Sequence, residues 1–207
     1  MSTLFLIRHA ESEANKKRIL ASRLPFPLTS AGKADADLIA SELKELTQIG
    51  RIITSPLVRA KETADSFKKQ YSIEPEIDDR ISEQELGIFS GMTYDEVMTH
   101  SKYESDSQNR WNWIPEGGGE SYSIIADRVT EFFSSLEKNP ADENILIVTH
   151  AVTFRLIKAI LENTLPEYPT SFPNNGEIWK VRFKRLGHKH EIESIFLGNS
   201  KDFAHNP

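Results

Sequence analysis

No cysteine occurs in the 207 residues, which excludes disulfides, thiolate nucleophiles and cysteine-based metal sites together. Long apolar runs are missing too. No stretch approaches the ~20 apolar residues that a membrane helix needs. The N-terminal Met1-Ser2-Thr3-Leu4-Phe5-Leu6-Ile7-Arg8 holds a short apolar run with no basic residue ahead of it, so it reads as a strand and not as a signal peptide. Nor are basic residues gathered anywhere: 25 lysines and arginines are scattered among 31 acidic residues, for a formal charge of −6. That argues against nucleic acid or an anionic membrane as the main partner, because both need a concentrated basic footprint. These absences predict a soluble, cytoplasmic protein. They leave room for a small anionic substrate, since a few arginines converging in one cleft set the local field whatever the global sum.

What is present suits a folded enzyme. The chain is 38% hydrophobic, too apolar for disorder and sufficient for a sizeable core, and its length fits a single domain over residues 1–207. Thr3 to Arg8 reads as a buried strand of a parallel sheet. Ala34, Leu38, Ile39, Leu43 and Leu46 fall at helical spacing behind a cap at Thr29 or Ser30. Arg51 to Thr54 is a second strand, and Pro56 is placed in the first turn of a helix running to about Tyr71. A short third strand is expected at Glu74 to Ile77, a helix from Ser121 to Lys138, a strand from Asn144 to Thr149 and a helix from Val152 to Leu161. Ile178 to Phe183 and Glu191 to Leu197 alternate about a turn at Leu186-Gly187-His188, as an antiparallel hairpin would. Between about residues 84 and 120 the periodicity is poor, and a lid-like insertion is expected. The alternation of strands and helices predicts a three-layer α/β/α sandwich with a mostly parallel sheet and an edge hairpin.

Ligands in such folds bind at the carboxyl ends of the strands. That rule selects Arg8-His9, Ser55 through Arg59, and Thr149-His150. Guanidinium groups grip phosphate oxygens in pairs, and a histidine held among them can attack phosphorus. Each residue also has a plainer reading: His9 as a hydrogen-bonded loop residue, Arg59 as a solvated helix residue pairing with Glu62. The coincidence of three strand ends carrying one kind of chemistry favours a site.

Leu6-Ile7-Arg8-His9-Ala10-Glu11-Ser12-Glu13-Ala14-Asn15 resembles the signature of the histidine phosphatase (phosphoglycerate-mutase-like) superfamily. The resemblance continues through Pro27-Leu28-Thr29 with Gly32, Ser55-Pro56-Leu57-Val58-Arg59-Ala60 with Glu62-Thr63-Ala64, Glu83-Gln84-Glu85-Leu86-Gly87, Gly118-Gly119-Glu120-Ser121 and Val148-Thr149-His150. It covers most of residues 3–160 and points to the small broad-specificity phosphatases. It implies that His9 accepts the phosphoryl group, that Arg8, Arg59 and His150 hold its oxygens, and that Asn15 adds a hydrogen bond. It also implies that Glu83 is the proton donor and later the base, with Glu85 as the alternative, and that no metal or other cofactor takes part. The expected partner is a small phosphorylated substrate.

Two departures stand out. Alanine replaces the family's usual glycine after each histidine, at Ala10 and Ala151, which tests whether those positions need a positive φ. The segment Ala21-Ser22-Arg23-Leu24-Pro25 also differs from the family's usual substrate-facing loop. His188 and His190 have a spacing that could serve a metal but lack a third ligand, Trp111 and Trp113 suit either a pocket wall or a lid packing on the core, and Gly117-Gly118-Gly119 lacks the context of a nucleotide-phosphate loop. Phosphomonoester hydrolysis is the first expectation. Phosphoglycerate mutase chemistry is the second, disfavoured by the compact stretch from Glu83 to His150, and a non-catalytic phospho-ligand module is the third.

Overall fold

A computed structural model describes residues 2–138 and 142–198. Alternation within strand β1, Ser2–Arg8, decides the layering. Leu4 and Leu6 project to one face of the sheet and Phe5 and Ile7 to the other, all four buried, so the strand is covered on both sides as a central parallel strand must be. The sheet has six strands in the order β3-β2-β4-β1-β5-β6. β2 is Arg51–Thr54, β3 is Glu76–Ile77 and β4 is Asn144–Thr149, and these run parallel with β1. β5, Ile178–Phe183, lies antiparallel to β1, and β6, Ile192–Phe196, antiparallel to β5. The mostly parallel sheet with an edge hairpin is therefore as expected, and Gly187, at φ +76°, takes the left-handed position in the connection.

Helices α2, Ser30–Leu46, and α3, Val58–Tyr71, close one face through Ile39, Leu43, Ala60, Ala64 and Phe67. Helices α5, Tyr122–Lys138, and α6, Ala151–Glu162, close the other through Val129, Phe132, Phe133, Leu156 and Ile160. Thr29 is the cap of α2, its hydroxyl accepting from the Gly32 amide. Gly32 is required for a separate reason: a Cβ there would stand 2.1 Å from the carbonyl oxygen of Glu11. α3 begins at Val58, two residues later than placed from Pro56, because Leu57 keeps an extended backbone while the Ser55 hydroxyl accepts its amide.

The insertion carries a one-turn helix at Gly87–Phe89, the short helix α4 at Tyr94–Thr99 behind a Thr93–Glu96 capping box, and another single turn at Ser107–Trp111. Its own small core joins Leu86, Phe89 and Val97 to Trp113 and Tyr103. Trp111 packs instead against the main core and stacks on Tyr168. Trp111 thus fastens this segment to the body, while Trp113 packs within it. His190 is buried, with Nδ1 donating to the Leu161 carbonyl and Nε2 accepting the Lys184 amide. Both ring nitrogens are occupied, so it is a packing residue while His188 stays exposed.

Candidate active site

Three parallel strands deliver their last residues to one end of the sheet. β1 ends at Arg8 and hands on to His9, whose amide donates to the Thr149 carbonyl at the end of β4. β2 ends at Thr54, and the Ser55 amide donates to Val148. His150 caps the amino end of α6. The sheet hydrogen bonding itself therefore brings Arg8, His9, Ser55 and His150 together. A short α1, Glu13–Lys16, follows His9 and carries Asn15.

His9 is held in one tautomer by two contacts. Nδ1 lies 2.7 Å from the Ala10 carbonyl, which can only accept, so Nδ1 bears the proton. Arg59 Nε, which can only donate, lies 3.2 Å from His9 Nε2, so Nε2 carries the lone pair. Burial, then the charges of Arg59 and Arg8, hold the His9 pKa well below the ordinary 6.5, against a smaller opposing effect of the Ala10 carbonyl. The ring is neutral, with its lone pair at Nε2. His150 packs beside it with ring centroids 5.2 Å apart. Its Nε2 is 2.8 Å from the Ser55 hydroxyl, and its buried Nδ1 has no partner among the described residues. Burial lowers its pKa too, helped by Arg59, His9 and Arg8.

Arg59 is buried, not part of a solvated face. Its Nη1 and Nη2 donate to the carbonyls of Leu24 and Ser22, and burial lowers its pKa to about 10 despite the favourable Glu83 charge. It stays cationic at neutral pH. Glu62 goes elsewhere, accepting the Leu28 amide and pairing with Lys33. Ser22 adopts a left-handed backbone at φ 46° to present its carbonyl to Arg59, while its one hydroxyl proton is shared between the Gln84 carbonyl and Glu85 Oε1. Such strain in a non-glycine residue is concentrated at functional sites.

The two candidate acids are separated by their surroundings. Glu83 lines the cleft, with Oε1 accepting the Gln84 amide and Oε2 accepting the Val152 amide at the start of α6. Glu85 Oε1 instead receives the Ser22 hydroxyl, the Gly87 amide and the Ser90 hydroxyl. It fastens a turn, which Gly87 completes at φ +55° with its α-carbon against the Glu116 carbonyl. Ala10 and Ala151 have ordinary negative φ values, and the Ala10 methyl fills a small cluster with Leu28 and Ala36. Glycine is not needed at either place.

The cleft encloses about 520 Å³. Arg8, His9, Ser12, Asn15, Arg59 and Glu83 form its polar end, and Leu20, Tyr94, Met98, Tyr103, Arg110 and Phe172 form the other. Sequence reasoning missed that second wall, since Tyr94, Met98 and Tyr103 lie in the insertion and Phe172 follows α6. It also missed Glu120, which takes Arg23 and Arg128 on its carboxylate and the Glu85 amide besides. Both arginines donate to the Glu83 carbonyl in turn. The Gly118-Gly119-Glu120-Ser121 motif was the available signal. A neutral histidine facing a cationic pocket beside a carboxylate is an arrangement suited to transferring a phosphoryl group.

The architecture defines an α/β protein with an arginine-lined cleft at the carboxyl edge of its sheet. The histidine phosphatase superfamily (branch 1) model matches residues 4–192, and the chain belongs to that family. Phosphoserine phosphatase 1 of Hydrogenobacter thermophilus is 34% identical over 165 residues, 78% of this chain and 76% of that protein. Phosphoglycerate mutase-like protein 4 of Arabidopsis thaliana is 30% identical over 166 residues, 79% of this chain and 71% of that one. Among solved structures, Bacillus stearothermophilus YhfR superposes with a TM-score of 0.79 at 26% identity, covering 97% of this chain and 98% of that one.

Proposed function

We propose that this chain, as a single catalytic domain, hydrolyses phosphomonoesters of small metabolites without a metal, through a phosphohistidine at His9. The observation that carries the reading is the fixed tautomer of His9, with Nδ1–H on Ala10 and an unprotonated Nε2 that accepts from Arg59. Nε2 attacks phosphorus while Arg8, Arg59, Asn15 and His150 take up the charge on the equatorial oxygens. The unpartnered His150 Nδ1, in the ring packed beside His9, supports this, because a buried polar atom without a protein partner is where a ligand can complete the bonding. Glu83 protonates the departing oxygen and then takes a proton from the water that attacks the phosphohistidine.

The phosphatase names of the relatives support hydrolysis, and the scattered charge and lack of a long apolar helix among the described residues support a cytoplasmic protein working on a dissolved substrate. Quenching a reaction of labelled p-nitrophenyl phosphate in alkali, where phosphohistidine survives, tests the proposal. Label on the peptide containing His9 is expected. Label on the His150 peptide, or none with full turnover, would refute it.

A further inference from the structure

Asn175 belongs to none of the motifs that mark the site, yet it touches the nucleophile's own backbone. It lies in the turn before β5 and is 3% exposed. Its Nδ2 donates to the His9 carbonyl at 2.9 Å and to Asn15 Oδ1 at 3.3 Å, and it approaches the Ala10 carbonyl at 3.5 Å. The Ala10 carbonyl is the acceptor that fixes the His9 ring. Asn15 Oδ1 also receives the Ser12 amide and hydroxyl, at 3.0 and 2.7 Å. With three donors converging on that oxygen, Oδ1 is the end of the Asn15 amide turned to the protein, and Nδ2 is the end it has for other groups.

The backbone around Asn175 reinforces the grip. The Gly176 amide donates to the Arg8 carbonyl, the Arg8 amide to Glu177, and Arg8 Nη1 to Pro173 at 2.7 Å. We propose that Asn175 is a positioning residue, which holds His9 with Nε2 aimed into the cleft and orients Asn15 so that its amide nitrogen meets the phosphoryl group. This rests on the reading of His9 as nucleophile. Asparagine suits the place because one NH₂ supplies two donors to two oxygens, whereas aspartate would set carboxylate oxygens against them. Its own Oδ1 has no partner among the described residues. A buried group left half-satisfied lowers stability, which is the mark of a residue kept for what its other half does.

The test uses the full chain with Asn175→Leu, similar in size but without a donor, and Asn175→Ser, which keeps a shorter one. Rapid mixing with p-nitrophenyl phosphate reads the phenolate burst, and ¹⁵N shifts of the His9 ring in the unliganded protein read its tautomer. Loss of alignment at a nucleophile is worth on the order of 100-fold. The burst should therefore slow by about 10- to 100-fold in Asn175→Leu with KM changed by less than about 3-fold, and recover in part in Asn175→Ser. The His9 shifts should move toward a mixture of tautomers. Combining Asn175→Leu with Asn15→Ala should cost less than the sum of the two, as expected for residues acting through one contact. A folded Asn175→Leu protein with the parental burst and parental shifts would overturn the proposal, whatever its melting temperature; should it not fold, the same readings on Asn175→Ser decide. Absence of trapped label on His9 in the parent would instead sink the nucleophile assignment, and the ring shifts would still decide whether Asn175 orients His9.

Discussion

Arg59 Nε stands 3.2 Å from His9 Nε2, and the rest of its guanidinium is tied to the carbonyls of Ser22 and Leu24. One side chain therefore joins His9 to the loop that follows it, and its fork geometry is what allows three directions of donation. Lysine offers a single point charge. Arg59→Lys should keep the fold and lower kcat/KM by about 10² to 10³, the range for removing one preorganised donor to a transition-state oxygen. Steady-state kinetics decides, and a loss under threefold would show that charge alone suffices.

Neutral His9 makes a prediction about stability. Its folded pKa lies below the unfolded value of 6.5, so the unfolded chain binds the extra proton as pH falls through and below 6.5, and the stability due to the neutral ring is full above that value and lost beneath it. The loss approaches 1.36 kcal/mol per pH unit for one proton. Replacing His9 by Asn removes that proton from the balance. Urea unfolding at pH 7.5 and 5.5, in buffer without phosphate, should show the parent losing about 1 kcal/mol more than His9→Asn on acidification. Equal losses would mean that His9 is already charged in the folded protein.

Glu83 and Glu85 can be told apart by leaving group. Glu83→Gln should cost about 10² to 10⁴ with a sugar phosphate, whose alkoxide needs a proton, and far less in the first step with p-nitrophenyl phosphate. Glu85→Gln disturbs a carboxylate that receives Ser22, Gly87 and Ser90. It should lower thermal stability and reduce both substrates alike. Leaving-group dependence in Glu85→Gln and not in Glu83→Gln would exchange the roles.

How much of this was legible beforehand follows from distance along the chain. The buried strands announced themselves by runs such as Ile145-Leu146-Ile147-Val148, and strand ends in a parallel sheet lie together by topology, so Arg8, His9, Arg59 and His150 could be grouped from sequence alone. Ala10 and Ala151 posed a question about φ that only the backbone answers. Asn175 and Phe172 carry no local signal, because they reach the site from the far end of the chain, Asn175 being 166 residues beyond His9, through antiparallel pairing of β5 with β1. The helix starting at Val58 was misplaced by two residues since proline marks an allowed first turn without requiring one.

Hydrolase and mutase share a pocket and differ in what leaves it. With 3-phosphoglycerate and excess chelator present, this chain should release inorganic phosphate and form little 2-phosphoglycerate, because Arg8 and Arg59 supply the positive charge that a metal would otherwise bring. Phosphate release and isomer content can be followed in one sample by ³¹P NMR. Dominant interconversion would make the chain a mutase with the same site, and complete loss restored by magnesium or zinc would remove the metal-free mechanism.

The last prediction concerns Glu120, which touches the cleft only through others. Burial raises its pKa, yet the hydrogen bond and charge of Arg128, the Glu85 amide and Arg23 outweigh this and hold it below the ordinary carboxylate value of 4.5. The stability it confers is thus present above pH 4.5 and declines as pH falls below that value. Glu120→Gln keeps the shape but leaves two partly buried guanidiniums without their counter-charge, at an expected cost of about 1 to 3 kcal/mol near neutral pH, the range for hydrogen bonds to charged groups. Both arginines also donate to the Glu83 carbonyl, so loosening them should let the Glu83 carboxylate wander. Turnover of a sugar phosphate should then fall more than turnover of p-nitrophenyl phosphate, repeating in weaker form the pattern of Glu83→Gln. Denaturant unfolding measures the first effect and the ratio of the two kcat/KM values the second. A destabilised variant whose ratio matches the parent would mean that Glu120 supports the fold without aligning the acid.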